Sequence, residues 1–278
     1  NGGGSMGENG GVAPEILEKQ NTYRAEAVKK AAEGGYDTII FVGGQNHFQD
    51  LEGHDRPDMK LPYAQDKLIE ELLEVAPDTV MVMFSGSPVE MPWISKAHTL
   101  VWNWFNGMEG GTALAEVLFG KVNPSGHLPE TFPVSHLDCS AHCIGQFPGG
   151  KTVDYAEGIF VGYRYYDTKQ VPVLFPFGYG LSYTEFVYSN LRVEGTYPHF
   201  KVSVDVTNAG TMAGKEVVQI YVGKPDSAVE RAMKELRGFN KLTLAPGETK
   251  TAEVTLDKAA FTYFDENLRH FVTEPGEY

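Results

Sequence analysis

One fifteen-residue stretch, Phe48 to Pro62 (FQDLEGHDRPDMKLP), gathers Asp50, Glu52, Asp55 and Asp58 around Gly53, His54 and Arg56. A carboxylic acid can give and take a proton in catalysis when its surroundings hold that proton near working pH. The same residue types also make an ordinary solvated turn, the commoner fate of acidic loops. Spacing alone leaves both readings open. Asp55 and Arg56 read as a pair bracing the loop by a salt bridge.

Other residues along the chain have chemical potential, each with a plainer explanation beside it. In SGSPVEMPW, Ser87 and Pro88 suit a helix cap and first turn, and Glu90 then complements the helix dipole rather than acting as a second carboxylate. Trp102, Trp104 and Phe105 could stack on a sugar ring or simply fill the end of a buried strand. Cys139 and Cys143, with His136 and His142 in the same short segment, are compatible with a metal site, a disulfide or two free thiols. Their spacing fits no standard zinc motif, and no metal is expected. His47, His54 and His98 are scattered, and no His/Asp pair is read beside a nucleophile-like serine or cysteine, so a catalytic triad has no support. Gly2-Gly3-Gly4-Ser5 is not followed by the Lys-Ser/Thr of a phosphate loop.

Positioning these residues requires elements of two kinds. Over residues 1–133 helical and strand patterns alternate. AEAVKKAAEG is helical and stops at Gly34-Gly35, and Thr38–Val42 is a continuous apolar run expected as a strand buried on both faces. AQDKLIEELLEVA carries an apolar helical stripe. Strands are then expected at Thr79–Phe84 and Thr99–Trp102, and a helix at Thr112–Phe119. This order predicts a parallel-sheet α/β sandwich with the acidic loop at the carboxyl end of its first strand, where ligands gather in open parallel sheets. Residues 134–185 form a connector rich in Gly, Pro and Tyr, expected to pack across both domains. From 186 to 278 the period changes to two. FVYSNLRVEG, HFKVSVDVTNAG, GKEVVQIYVG, LRGFNKLTL and TKTAEVTL alternate between turns, which predicts an antiparallel, immunoglobulin-like β-sandwich.

Composition narrows the function classes. The chain has 278 residues, 42% hydrophobic and 22% charged, which suits a globular protein, and its formal net charge is −14. That charge argues against nucleic acid or an anionic membrane as partner. No apolar run reaches the length of a membrane-spanning helix. The compartment stays open, and so does homo-oligomerisation.

Five motifs in order carry a family resemblance: FQDLEGHDRPDMKLP, SGSPVEMPW, GMEGGTALAEVLFGKVNPSGHLPETFP, YAEGIFVGYRYYD and LFPFGYGLSYTEF. Together they resemble the C-terminal region of glycoside hydrolase family 3, the β-glucosidases, β-xylosidases and related exo-acting enzymes. KELRGFNKLTLAPGETKTAEVTL and the closing EPGEY resemble that family's fibronectin type III-like domain. The resemblance implies that Glu52, in the E-G-x-D-R pattern, is the general acid/base. Asp50 is the alternative, and Ser5 in GGGS a sugar-binding candidate. It implies no cofactor, a β-glucoside or β-xyloside as substrate, and a nucleophilic Asp on a (β/α)8 barrel that this chain does not contain. The competing reading is a non-catalytic carbohydrate-binding or assembly module with the same architecture.

Overall fold

The computed structural model describes residues 14–53, 55–145 and 147–278. The chain divides into two compact units, Asn1–Gly110 and Gly111–Tyr278.

In the first unit three parallel strands, β1 (Ile40–Gly44), β2 (Val80–Phe84) and β3 (Thr99–Trp102), lie side by side in that order. Val42 pairs with Val82, and Val82 with Val101. Two helices, α1 (Pro14–Glu33) and α2 (Gln65–Val75), accompany the sheet. The stripe on α2 buries Ile69, Leu72 and Leu73. The central strand β2 carries the core, with Met81, Val82 and Met83 fully buried. β1 departs from expectation. It begins two residues late, and Ile40 and Val42 are exposed while only Phe41 is buried. The reason is the alternation of faces: Phe41 points to the covered face of the sheet, while Ile40 and Val42 point to the opposite face, which no described element covers at β1.

The helix α3 (Gly110–Leu118) opens at the boundary between the units. In the second unit a short pair, β4 (Phe132–Pro133) and β5 (Val173–Phe175), flanks the small helices α4 (Ser140–Cys143) and α5 (Tyr163–Lys169). The aromatic segment after β5 is packed rather than free. Phe177 stacks on Tyr163 at 4.9 Å, and Asn123 Oδ1 accepts from Ser182 Oγ and Tyr183 N. Next come β6 (Phe186–Thr196), β7 (His199–Asn208), β8 (Gly214–Val222), β9 (Glu235–Leu244) and β10 (Thr249–Leu256). One antiparallel sheet runs β10-β7-β6 and a second pairs β8 with β9; the hairpin β11 (Thr262–Asp265) and β12 (His270–Thr273) follows. Val204 and Val206 on β7 and Ala252 on β10 meet Val218 and Leu244 from the other sheet, which makes the core of a β-sandwich. The fold class is therefore as the periodicities predict: α/β, then antiparallel β.

Candidate active site

The loops leaving the carboxyl ends of β1, β2 and β3 supply the candidate site, and each is held by its own local chemistry. Gly44 at the end of β1 has φ +128° and lies against the carbonyl of Phe84, where any side chain would collide. The buried Gln45 then donates its backbone N–H to Phe84 O at 2.7 Å, and its Oε1 accepts from Ser85 Oγ at 2.9 Å. Gln65 clamps the loop's far end: it accepts from Gly44 N and donates to both Gly44 O and Pro62 O. Tyr63 and Ala64, two consecutive non-glycine residues with positive φ, turn the chain into α2. Such strain persists only where surrounding contacts impose it.

Within this frame the acidic loop is anchored on both sides of Glu52. Before it, the half-buried Asp50 accepts the backbone N–H of Gly86 at 3.2 Å through Oδ2. After it, Arg56 Nη2 donates to Ser87 Oγ at 3.0 Å and Pro88 O at 3.1 Å. Met59 O then accepts from Glu90 N, and Met59 and Leu61 are buried. Glu52 sits on the turn between these anchors, exposed, followed by Gly53 at φ +80°. Among the described residues nothing engages its carboxylate by hydrogen bond or ion pair. Asp50, two residues earlier, is thus held by a backbone donor, while Glu52 stays exposed.

Several expectations need correcting in detail. Among the described residues no ion pair joins Asp55 to Arg56. Arg56 braces the loop through neutral oxygens of the next loop instead. Ser87 and Pro88 start no helix, and the single 3₁₀ turn nearby is Ile94–Lys96. The extended segment through Glu90 arises because its N–H pairs with Met59 O across the site. Trp102 and Trp104 meet edge to face at 6.0 Å, Trp104 at φ +48°. Phe105 is half exposed beside Gly86. Gly86 is the contributor sequence reasoning passed over: a Cβ there would lie 2.6 Å from Asp50 Oδ2 and 3.0 Å from Phe105 Cε2. A glycine directly after a buried strand was its only signal. Ser5 lies outside the described residues.

Below the site, Asp66 in the first turn of α2 accepts the indole N–H of buried Trp93 at 2.8 Å. Burial pushes its carboxyl above the ordinary aspartate range, against the lowering effect of that hydrogen bond. Elsewhere Cys139 and Cys143 are free thiols, with Cys143 Sγ 2.9 Å from Tyr165 OH. Among the described residues no three His, Cys, Asp or Glu side chains cluster as metal ligands.

Chemically, this arrangement presents exposed carboxyl groups, Glu52 and Asp55, on a braced loop at the carboxyl end of β1.

Comparison with known proteins shows the family. Residues 3–183 match the glycosyl hydrolase family 3 C-terminal domain, and residues 216–278 the fibronectin type III-like domain. A β-glucosidase of Bacteroides ovatus is 46% identical over 276 residues, covering 96% of this chain and 36% of that protein. The thermostable β-glucosidase B of Acetivibrio thermocellus is 45% identical, covering 98% of this chain and 35% of that protein. A solved Kluyveromyces marxianus β-glucosidase in complex with glucose superposes with TM-score 0.86 at 42% identity, over 90% of this chain and 30% of that one. This chain spans about a third of the length of the curated relatives it matches.

Proposed function

This chain belongs to glycoside hydrolase family 3, and we propose that it is the part of a retaining exo-β-glycosidase that delivers the general acid/base, Glu52. The parent activity is that of a β-glucosidase, the name carried by its relatives in Bacteroides ovatus and Acetivibrio thermocellus. The observation that carries the reading is the contrast between the two candidate acids: Asp50 is tied to the loop after β2, and Glu52 is exposed with no hydrogen-bond or ion-pair partner among the described residues.

In this mechanism Glu52 protonates the glycosidic oxygen as the bond to the leaving group breaks. It then takes a proton from the water that releases the sugar. Retention requires a second carboxyl group about 5–5.5 Å away to form the glycosyl-enzyme. Asp50 is a poor candidate, because it lies two residues away on the same loop and is held in place through Oδ2 by Gly86 N. The nucleophile, an aspartate on a (β/α)8 barrel, belongs to polypeptide beyond residues 1–278, so residues 1–278 alone should not turn over glycosides.

The test is Glu52→Ala in the full-length enzyme. Hydrolysis should fall by about 10²–10⁴-fold. Substrates with poor leaving groups should suffer most, and added azide, which attacks without deprotonation, should partly restore turnover of activated aryl glycosides. A loss of only a few-fold, with no azide effect, would leave the loop a solvated turn.

A further inference from the structure

Gln65 opens α2, and its side-chain amide engages the two ends of the acidic loop. Oε1 accepts from Gly44 N at 2.8 Å, while Nε2 donates to Gly44 O at 2.8 Å and to Pro62 O at 3.0 Å. Gly44 is the last residue of β1, and Pro62 the last before the positive-φ pair Tyr63-Ala64 that turns the chain into α2. One carboxamide therefore joins the point where the chain leaves the sheet to the point where it returns to a helix. Glu52 lies on the loop between them.

The fit at β1 is specific. Gln45 gives its N–H to Phe84 O, so by the alternation of a strand the N–H and C=O of Gly44 point away from β2. No described strand pairs with β1 on that side. Gln65 satisfies both groups there, as a neighbouring strand would. A Cβ on Gly43 would collide with Gln65 Oε1 and with the Phe41 ring, so the glycine is what lets the amide come this close. Gln49 Nε2 adds a second tie, donating to Tyr63 OH at 2.6 Å. The contacts of Asp50 and Arg56 with the loop after β2 hold the middle of the acidic loop and leave its ends to Gln65. Those ends set where the turn carrying Glu52 stands, and catalysis falls steeply when a reacting group is displaced by about 1 Å.

We propose that Gln65 is a positioning residue that holds Glu52 in register with the scissile bond, an inference resting on Glu52 being the general acid/base. In the full-length enzyme, Gln65→Ala should lower kcat/KM for an alkyl β-glucoside by about ten- to a hundredfold. With a dinitrophenyl β-glucoside, whose leaving group needs no proton, the loss of kcat/KM should stay within a few-fold. Gln65→Ala added to Glu52→Ala should slow hydrolysis of the alkyl glucoside no further. A side chain that only supports folding would lower both substrates alike and add its loss to that of Glu52→Ala. Gln65→Glu keeps the length and the acceptor for Gly44 N but loses both donors, so it should show the same split even if Gln65→Ala does not fold. Equal losses on the two substrates, additive losses, or unchanged turnover would overturn the proposal. If Glu52→Ala itself shows no dependence on the leaving group, the acid/base reading falls and this one with it. If Glu52→Ala shows that dependence and the Gln65 variants do not, only the positioning role of Gln65 falls.

Discussion

Asp50 Oδ2 accepts the backbone N–H of Gly86 at 3.2 Å, so the acidic loop after β1 is tied to the first residues after β2. This one bond separates the two carboxylates that sequence alone cannot rank. It occupies Asp50 and sets the direction from which Glu52 emerges two residues later.

Asp50 should accordingly behave as a positioning residue in the full-length enzyme. Asp50→Asn retains an acceptor oxygen and should keep turnover within a few-fold of the parent. Asp50→Ala should lose about tenfold, the worth of one hydrogen bond. Azide should restore neither variant. Azide rescue of Asp50→Ala, with Glu52→Ala unresponsive, would move the acid/base role to Asp50.

Gly86 should be coupled to Asp50. In Gly86→Ala the new methyl would press on Asp50 Oδ2 and the Phe105 ring. The flexible carboxylate can swing away, which breaks the same hydrogen bond. We expect a stability loss of about 1 kcal/mol or less, an activity loss like that of Asp50→Ala, and little further loss in the double variant. Additive losses in a double-mutant cycle would show that the two act separately.

Asp66 predicts a pH dependence. Its folded-state carboxyl is raised by burial above the ordinary value of 3.8. A raised carboxylate contributes stability that is fully present below its unfolded pKa and is lost as pH rises through its folded one. Asp66→Asn does not titrate and still accepts from Trp93, so its stability relative to the parent should improve as pH climbs above the ordinary aspartate range. Asp66→Ala should be worse at every pH by about 1–3 kcal/mol, because the buried indole N–H loses its acceptor. Urea unfolding across pH 3 to 7 reads both; parallel curves for parent and Asn variant would refute the shift.

Asn208 should be among the most sensitive positions of the second unit. It is fully buried; Oδ1 accepts from Thr184 Oγ1 at 2.6 Å and Gly210 N at 3.1 Å, while Nδ2 donates to Met212 O and Leu244 O. Asn208→Asp replaces both donors with an acceptor facing two carbonyls. It should cost about 3 kcal/mol or more, read as a lowered unfolding midpoint.

Much of this protein was legible in its residues one after another. Period-two alternation from Phe186 onward marks five strands whose observed bounds differ from the pattern by a residue or two, because side chains on a half-buried sheet must alternate. The stripe on α2 and the uninterrupted apolar run of β2 were equally plain, since α2 faces a core on one side and β2 is buried on both faces. The crowding of carboxylates in Phe48–Pro62 marked the candidate loop. What one dimension withheld are relations between segments distant in sequence. That Ile40 and Val42 lie on an uncovered face of β1 depends on which elements pack over the sheet, which local pattern does not encode. That Arg56 reaches Ser87 and Pro88 rather than Asp55, and that Gly86 must lack a side chain so that Asp50 can approach, follow from how two loops 36 residues apart meet. Composition and periodicity determined the elements, because they act through neighbours along the chain. Only the tertiary structure decided which carboxylate is tied and which is free, because hydrogen bonds and close approach act through space.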